Sequence, residues 1–319
     1  MQLPANLRAR IDALLSSENK KFLSSAAQNV SLKYRRESSA PSLQISSMDE
    51  AKAYVATRLP ATWCAVTKAL QAYLEIDPEI KINSILDLGA GPGTAALAAQ
   101  NIWPDCSATL FEPNPHLSEI GQKLFEGGDW QNARLQNISI EKRYDLVLSS
   151  YVLNEIDSDL EDILQNIWAA AESALVIIEP GTPLGYSTIL RARDYFTSIG
   201  ANIAAPCPHE STCPLRDTDK WCHFSVRVDR SRLHLQTKPD ARLSYEDEKF
   251  SYLIVTRHKT PKPRLRALGQ PHGQKVVTLE TCQDRGQFEI LQLSRRDSDY
   301  KLLRKIDWGD AAYPVQDKE

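Results

Sequence analysis

The sequence predicts an α/β protein: a parallel sheet covered on both faces, preceded by helices and followed by short strands. Three observations predict it. From Ile82 to about Thr256, short apolar runs alternate with helical stretches, which is the pattern of successive βαβ units. The first of these units, SILDLGAGPGTAALAA at residues 84–99, reads as a strand, a glycine turn and a helix rich in small residues. The flanks differ from this middle. Residues 1–78 place apolar side chains at three and four spacing, as in AKAYVATRLPATWCAVTKALQAYLEI, until Pro78 closes the region. Beyond Lys259 the text turns to KTPKPRLRALGQPHGQK and then to the strand-like runs KVVTLETC, QFEILQLS and YKLLRKI, which predict a small antiparallel unit. The expected organisation is a helical region at 1–78, a sheet domain at 79–260 with a cysteine-rich insertion at about 205–225, and a β extension at 261–319.

Composition narrows the class. Of the 319 residues 42% are hydrophobic and 25% charged, so the chain has the apolar content of an ordinary folded domain. The formal net charge of -3 supplies no global attraction for nucleic acid, so such a partner must be held by local charge. No apolar run approaches the roughly 18 residues of a membrane span. The N-terminal stretch MQLPANLRARIDALLSSENKKF lacks the apolar core of a secretion signal, and Asp12 and Glu18 argue against an organelle transit peptide. A monomer in the bacterial cytoplasm is therefore expected, or in a mitochondrion if the chain is eukaryotic. In such reducing compartments six cysteines point to metal or catalytic chemistry rather than disulfides. Cys64 and Cys106 stand alone and read as core filler.

In the glycine turn, Ile85–Leu88 form the buried strand, Gly89, Gly91 and Gly93 the loop, and Thr94–Ala99 the opening of the helix. A dinucleotide fingerprint would need its third glycine at Thr94, and fails there. The spacing is instead D-x-G-x-G-x-G headed by Asp87. This resembles the first motif of class I S-adenosylmethionine-dependent methyltransferases. The resemblance implies an S-adenosylmethionine site at Asp87, Gly89, Gly91 and Gly93, with a second acid ending the next strand to accept hydrogen bonds from ribose hydroxyls. ATLFEPN puts Glu112 at that place. The later strands are expected in ARLQN, YDLVLSS and LVIIEPG, with a helix over LNEIDSDLEDILQNIWAAAES. Catalytic residues are not assigned. The N/D-P-P-Y/F tetrad of amino methyltransferases is replaced by Ser149, Ser150, Tyr151 and Val152, and neither neighbouring strand carries a cysteine nucleophile. Ser149, Tyr151, Asn154 and Glu155 would face the methyl group, yet none is a base with a matched partner, and a helix cap and a strand end explain them equally.

The stretch APCPHESTCPLRDTDKWCHF at 205–224 holds Cys207, Cys213 and Cys222 at spacings C-x5-C and C-x8-C. A closed tetrahedral site needs four ligands, and Cys282 in TLETCQDRG supplies the fourth thiol, with His209 and His223 as possible substitutes. Such a site would pin the β extension to the sheet domain by closing a long loop. The C-x2-C knuckles of a zinc ribbon are absent. CPHESTCPL, WCHF, the late cysteine, the EPG at 179–181 and the WGD at 308–310 resemble the methyltransferase-like family of small-ribosomal-subunit assembly factors, over the chain from about Tyr54 onward. The resemblance implies that Cys207, Cys213, Cys222 and Cys282 hold a 4Fe–4S cluster, structural or sensing, with zinc as the alternative, since thiolate ligation suits either. The compact C-x3-C-x2-C of radical S-adenosylmethionine enzymes is not present. It also implies small-subunit rRNA as partner.

Between Lys249 and Leu279 stand seven Lys or Arg and no Asp or Glu, with Pro261, Pro263 and Pro271 holding the segment extended. Lys259, Lys262, Arg264 and Arg266 are the expected phosphate contacts, with Lys33, Arg35 and Arg36 in SLKYRRE extending them; a solvated basic loop is the plainer account. Three functions remain open: an rRNA methyltransferase, an rRNA-binding factor that keeps the fold as a scaffold, and a small-molecule methyltransferase with a zinc staple.

Overall fold

A computed structural model describes residues 1–16, 18–36, 45–138, 140–156, 160–237 and 243–313, the side chains at 20 and 31–36 excepted. Helices α1 (Ala5–Leu15), α2 (Lys20–Arg36), α3 (Met48–Thr57) and α4 (Leu59–Ile76) come first. The stretch from Ala51 to Ile76 reads as one periodic pattern, and the structure divides it at Arg58. Pro60 lacks an N–H and fits only in the first turn of a new helix, which α4 provides. Arg58 grips Glu248 through both guanidinium nitrogens, at 2.9 and 3.2 Å. The N-cap of α3 is Ser47, whose Oγ accepts from Glu50 N, while the Glu50 carboxylate accepts from Ser46 N at 2.9 Å.

The alternating region forms β1 (Ser84–Leu88), α5 (Thr94–Ile102), β2 (Ser107–Phe111), α6 (Pro115–Leu124), β3 (Asp129–Gln131), β4 (Tyr144–Ser150), α7 (Leu160–Ala169), β5 (Ala171–Pro180), α8 (Pro183–Ser198) and β6 (Asn202–Ala205), followed by β7 (Phe224–Asp229), α9 (Arg232–Thr237) and β8 (Tyr245–Thr256). The strands lie in the order β3-β2-β1-β4-β5-β8-β6, with β7 also on β8. β1 to β5 run parallel, and β8 runs antiparallel to β5, β6 and β7. The expected wholly parallel sheet is therefore mixed. The reason is the long β8, whose 12 residues return between β5 and β6.

Three expected elements change, one of them YKLLRKI, read as a strand, whose Tyr300–Leu303 form a short helix. The third strand is DWQ at 129–131, not ARLQN, in which Leu135–Asn137 make a 3-10 turn. Trp130 fixes this choice by laying its ring where a Cβ on Gly121 would come within 2.1 Å of it. The long helix expected from Leu153 shrinks to α7, because Leu153–Glu155 form a separate 3-10 turn and Ala171 already belongs to β5.

One face of the sheet and the four N-terminal helices share a single hydrophobic cluster, with α5 and α6; α7 and α8 cover the other face. A second, antiparallel sheet follows, in the order β11-β10-β9-β12, from β9 (Leu265–Ala267), β10 (Val276–Gln283), β11 (Phe288–Ser294) and β12 (Ala311–Ala312). With the short α10 (Tyr300–Leu303) it closes its own core of Leu265, Val277, Leu279, Leu293, Tyr300, Leu303 and Ile306. Cys64 and Cys106 are buried, as filler would be. No helix among the described residues is long and apolar enough to cross a membrane.

Candidate cofactor loop and cysteine pocket

The glycine loop stands at the carboxyl ends of the parallel strands, where open α/β sheets bind ligands. Gly89, Gly91 and Gly93 have φ of 64°, 56° and 79°, the left-handed region open to glycine. Gly89 is also pressed from above, since a Cβ there would lie 2.4 Å from Val152. Gly91 faces open space. Asp87 is 1% exposed, its Oδ2 accepts from Ala96 N at 2.9 Å, and its Oδ1 has no partner among the described residues. Glu112 accepts from Gly91 N and from Asn114 N, each at 2.7 Å, so it ties the loop to the end of β2. Burial, the largest influence, pushes Asp87 up to about 7 and raises Glu112 as well, against the N–H donors that favour their charged forms.

Glu179, the acid of the EPG at 179–181, to which the sequence assigned no role, is the third acid of this rim. It is fully buried at the end of β5, and its Oε1 accepts from Val152 N and Leu153 N at 3.2 and 2.8 Å. Burial pushes it up to about 8. Of the four residues expected to face a methyl group, two are held elsewhere, while the buried Ser149 Oγ has no partner among the described residues. Tyr151 donates its hydroxyl to Glu248 at 3.0 Å, and Asn154 Oδ1 accepts from Thr188 Oγ1. An unpartnered Asp87 oxygen, an open Gly91 and free loop geometry fit a small cofactor.

The four cysteines converge. Cys207 follows β6, Cys213 and Cys222 lie on the loop before β7, Cys282 sits on β10, and all four line one cavity. Two cations, Arg193 and Arg266, and the Tyr186 phenol complete its wall. Arg193 of α8 is 3% exposed, donates from Nε to Cys207 Sγ at 3.3 Å and from its NH2 group to His209 O and Ser211 O at 3.1 and 2.6 Å. Tyr186 lies one face-repeat earlier on α8, with its hydroxyl 3.4 Å from Cys213 Sγ. His209 Nε2 stands 3.4 Å from Cys282 Sγ. Burial raises the thiols of Cys207, Cys222 and Cys282; the other thiols raise them further, and Arg193 or Arg266 opposes. Among the described residues, however, no group of three or more His, Cys, Asp or Glu is drawn close enough to hold a metal ion as placed. The donor set suits a thiolate-binding metal group; its closed geometry is not formed here.

The expected phosphate contacts are largely turned inward. Arg266 is 2% exposed and donates from Nε to Pro206 O and from NH1 to Gly309 O, both at 2.8 Å. It braces the cysteine loop and the last strand and is not a phosphate contact, because its guanidinium is sealed between them. Arg264 is paired with Asp299 at 2.6 Å, and Lys262 with Glu210 at 2.9 Å. Arg257, one of the seven cations of that segment, stacks on Trp168 at 3.7 Å. Lys259 is exposed. The side chains of Lys33, Arg35 and Arg36 lie outside the described residues.

The mixed sheet, with one antiparallel strand between the fifth and sixth parallel ones and a D-x-G-x-G-x-G loop after β1, is the α/β fold of class I S-adenosylmethionine-dependent methyltransferases. Residues 48–313 match the family described as mitochondrial small ribosomal subunit Rsm22, and the chain belongs to that family. Among curated relatives, the human protein named "Ribosome assembly protein METTL17, mitochondrial" is 26% identical, covering 81% of this chain and 61% of its own length. The "Rsm22-cox11 tandem protein 2, mitochondrial" of Schizosaccharomyces pombe is 28% identical over 96% of this chain and 50% of its own. The chain thus spans about half to six tenths of these relatives. Among solved structures, the plantazolicin methyltransferase BpumL in complex with SAH aligns with 80% of this chain and 100% of its own at TM-score 0.43 and 12% identity, too distant to bear on function. Both curated relatives are named as mitochondrial, and neither supports the bacterial cytoplasm expected from the N-terminus.

Proposed function

We propose that this chain is an assembly factor of the small ribosomal subunit that binds rRNA, holds S-adenosylmethionine at its glycine loop and carries a 4Fe–4S cluster on Cys207, Cys213, Cys222 and Cys282. The family match across residues 48–313 carries the assembly reading. The cluster is supported by four thiols from two parts of the chain lining one cavity beside Arg193. A single zinc ion at about 2.3 Å from each sulfur would need them tightly gathered, whereas a cluster spreads its thiolates over separate irons. When bound, such a cluster would tie the four thiols together; Arg193 and Arg266 would offset its negative charge, and Tyr186 and His209 would orient Cys213 and Cys282.

At the glycine loop Asp87 and Glu112 hold the turn in shape, and Gly91 leaves room for the cofactor. A scaffold role without methyl transfer is favoured by Tyr151 and Asn154 being bound to Glu248 and Thr188 rather than poised as bases. The third possibility, a small-molecule methyltransferase with a zinc staple, predicts no salt-dependent affinity for RNA.

The deciding experiment is anaerobic purification with iron, zinc and sulfide analysis, on wild type and Cys282→Ser. About four irons per chain, lost in the variant, is the expected result; one zinc per chain in a colourless protein would overturn the cluster. In parallel, Asp87→Asn is expected to leave rRNA binding intact. Loss of rRNA methylation in that variant would instead favour the enzyme.

A further inference from the structure

Six exposed cations without an ion pair to a described residue gather away from 259–266, at the open end of the β10–β11 hairpin. The antiparallel register pairs Val276 with Ser294, so Lys275 and Arg295, the next residue outward on each strand, leave the sheet side by side. Arg296 follows, then Lys301 on α10 and Arg304 and Lys305 just after it. All six side chains are exposed, and none forms an ion pair with a described residue. The acids between them are partly occupied: Asp299 by Arg264 at 2.6 Å, Asp297 by the backbone N–H and hydroxyl of Ser294 at 2.6 and 2.8 Å.

Arginines among these cations offer planar forks that match phosphate oxygens, and the lysines add point charge. Side chains spread over the open end of a hairpin and a following helix suit a phosphate backbone that runs past both. From Val276 to Cys282 the strand spans six residue steps, or about 20 Å at ~3.4 Å each, so this end is remote from the cysteine cavity.

We infer that Lys275, Arg295, Arg296, Lys301, Arg304 and Lys305 form the phosphate-contacting surface through which this chain grips folded RNA, an inference that rests on the rRNA-binding reading above. The contacts are to backbone and therefore position the protein without reading sequence.

The test uses the full chain with Arg295→Glu/Arg296→Glu and, separately, Lys301→Glu/Arg304→Glu/Lys305→Glu. The matched control is Lys81→Glu/Lys142→Glu, both exposed and ahead of β1 and β4. Affinity is read by fluorescence anisotropy on a labelled hairpin from small-subunit rRNA and on an unrelated hairpin, across a salt series, with circular dichroism and melting to confirm folding. Each open-end variant is expected to lose tenfold or more on both RNAs, and the slope of log affinity against log salt to fall by about one per phosphate contact removed. Open-end variants that bind like the control overturn the inference while leaving the rRNA reading intact. A wild type with no salt-dependent affinity for either RNA overturns the rRNA reading itself. Unchanged RNA affinity with lost binding to a polyglutamate peptide would assign the surface to an acidic protein and overturn it too.

Discussion

Asp87 and Glu179 are carboxyls sealed beneath the carboxyl ends of the parallel strands, and burial favours their neutral forms. Folding therefore raises their proton affinity. An acid whose pKa is raised in the folded state contributes fully below its unfolded value near 4, and loses that contribution as pH rises through about 7 for Asp87 and about 8 for Glu179. Melting temperature is accordingly expected to fall between pH 5 and pH 8, and Asp87→Asn to flatten the fall over its lower part; a slope unchanged in that variant would assign the effect elsewhere. Glu179→Ala is expected to cost about 2–4 kcal/mol in urea unfolding, since it strands the N–H groups of Val152 and Leu153. The loop glycines separate by their surroundings. Gly91→Ala meets open space and carries only its left-handed φ, about 1–2 kcal/mol, whereas Gly89→Ala also drives its Cβ into Val152 and should cost more. Equal destabilisation of the two would contradict this.

At the scale of elements, the strongest sequence signal came from residues that reach backbones others rarely adopt. Three glycines at alternate positions after an apolar strand allow a run of left-handed φ, and the loop formed where it was expected. DWQ, by contrast, is three residues with no apolar alternation; it is a strand by its parallel pairing with Thr109–Phe111, with Trp130 seated over Gly121. The four cysteines named from the sequence line one cavity, although no three of them stand close enough among the described residues to hold a metal ion. Arg193 and Tyr186 were missed although their seven-residue separation, placing both on one face of a helix just before the cysteine stretch, was a usable sign. Charge counting failed at Arg264 and Arg266, because a run of cations does not reveal which ones have partners brought by distant strands. Arg266→Ala is expected to cost about 3–5 kcal/mol, leaving Pro206 O and Gly309 O without their donor. Limited proteolysis should then cut the 261–275 segment first; cleavage confined to the N-terminal helices would contradict that bracing role.

Across the whole molecule, polar ties through the cysteine loop join the two sheets beside the apolar packing of Leu268 and Trp308 on the larger core. Trp308 donates from Nε1 to His223 O at 2.9 Å, Lys220 reaches Glu280 at 2.7 Å, and Trp221 donates to Gly181 O at 3.0 Å beside the end of β5. The loop therefore answers to both halves. These ties also set an order in time. Cys207 and Cys282 are 75 residues apart, and a chain made at about 5–20 residues per second leaves the earlier thiols waiting roughly 4–15 s for the last one. Brief alkylation of stalled nascent chains should label Cys207 and Cys213 until the segment through Gly309 has emerged, and not afterwards. If it does, this pocket's thiols meet the surrounding redox chemistry during synthesis, before any fold protects them.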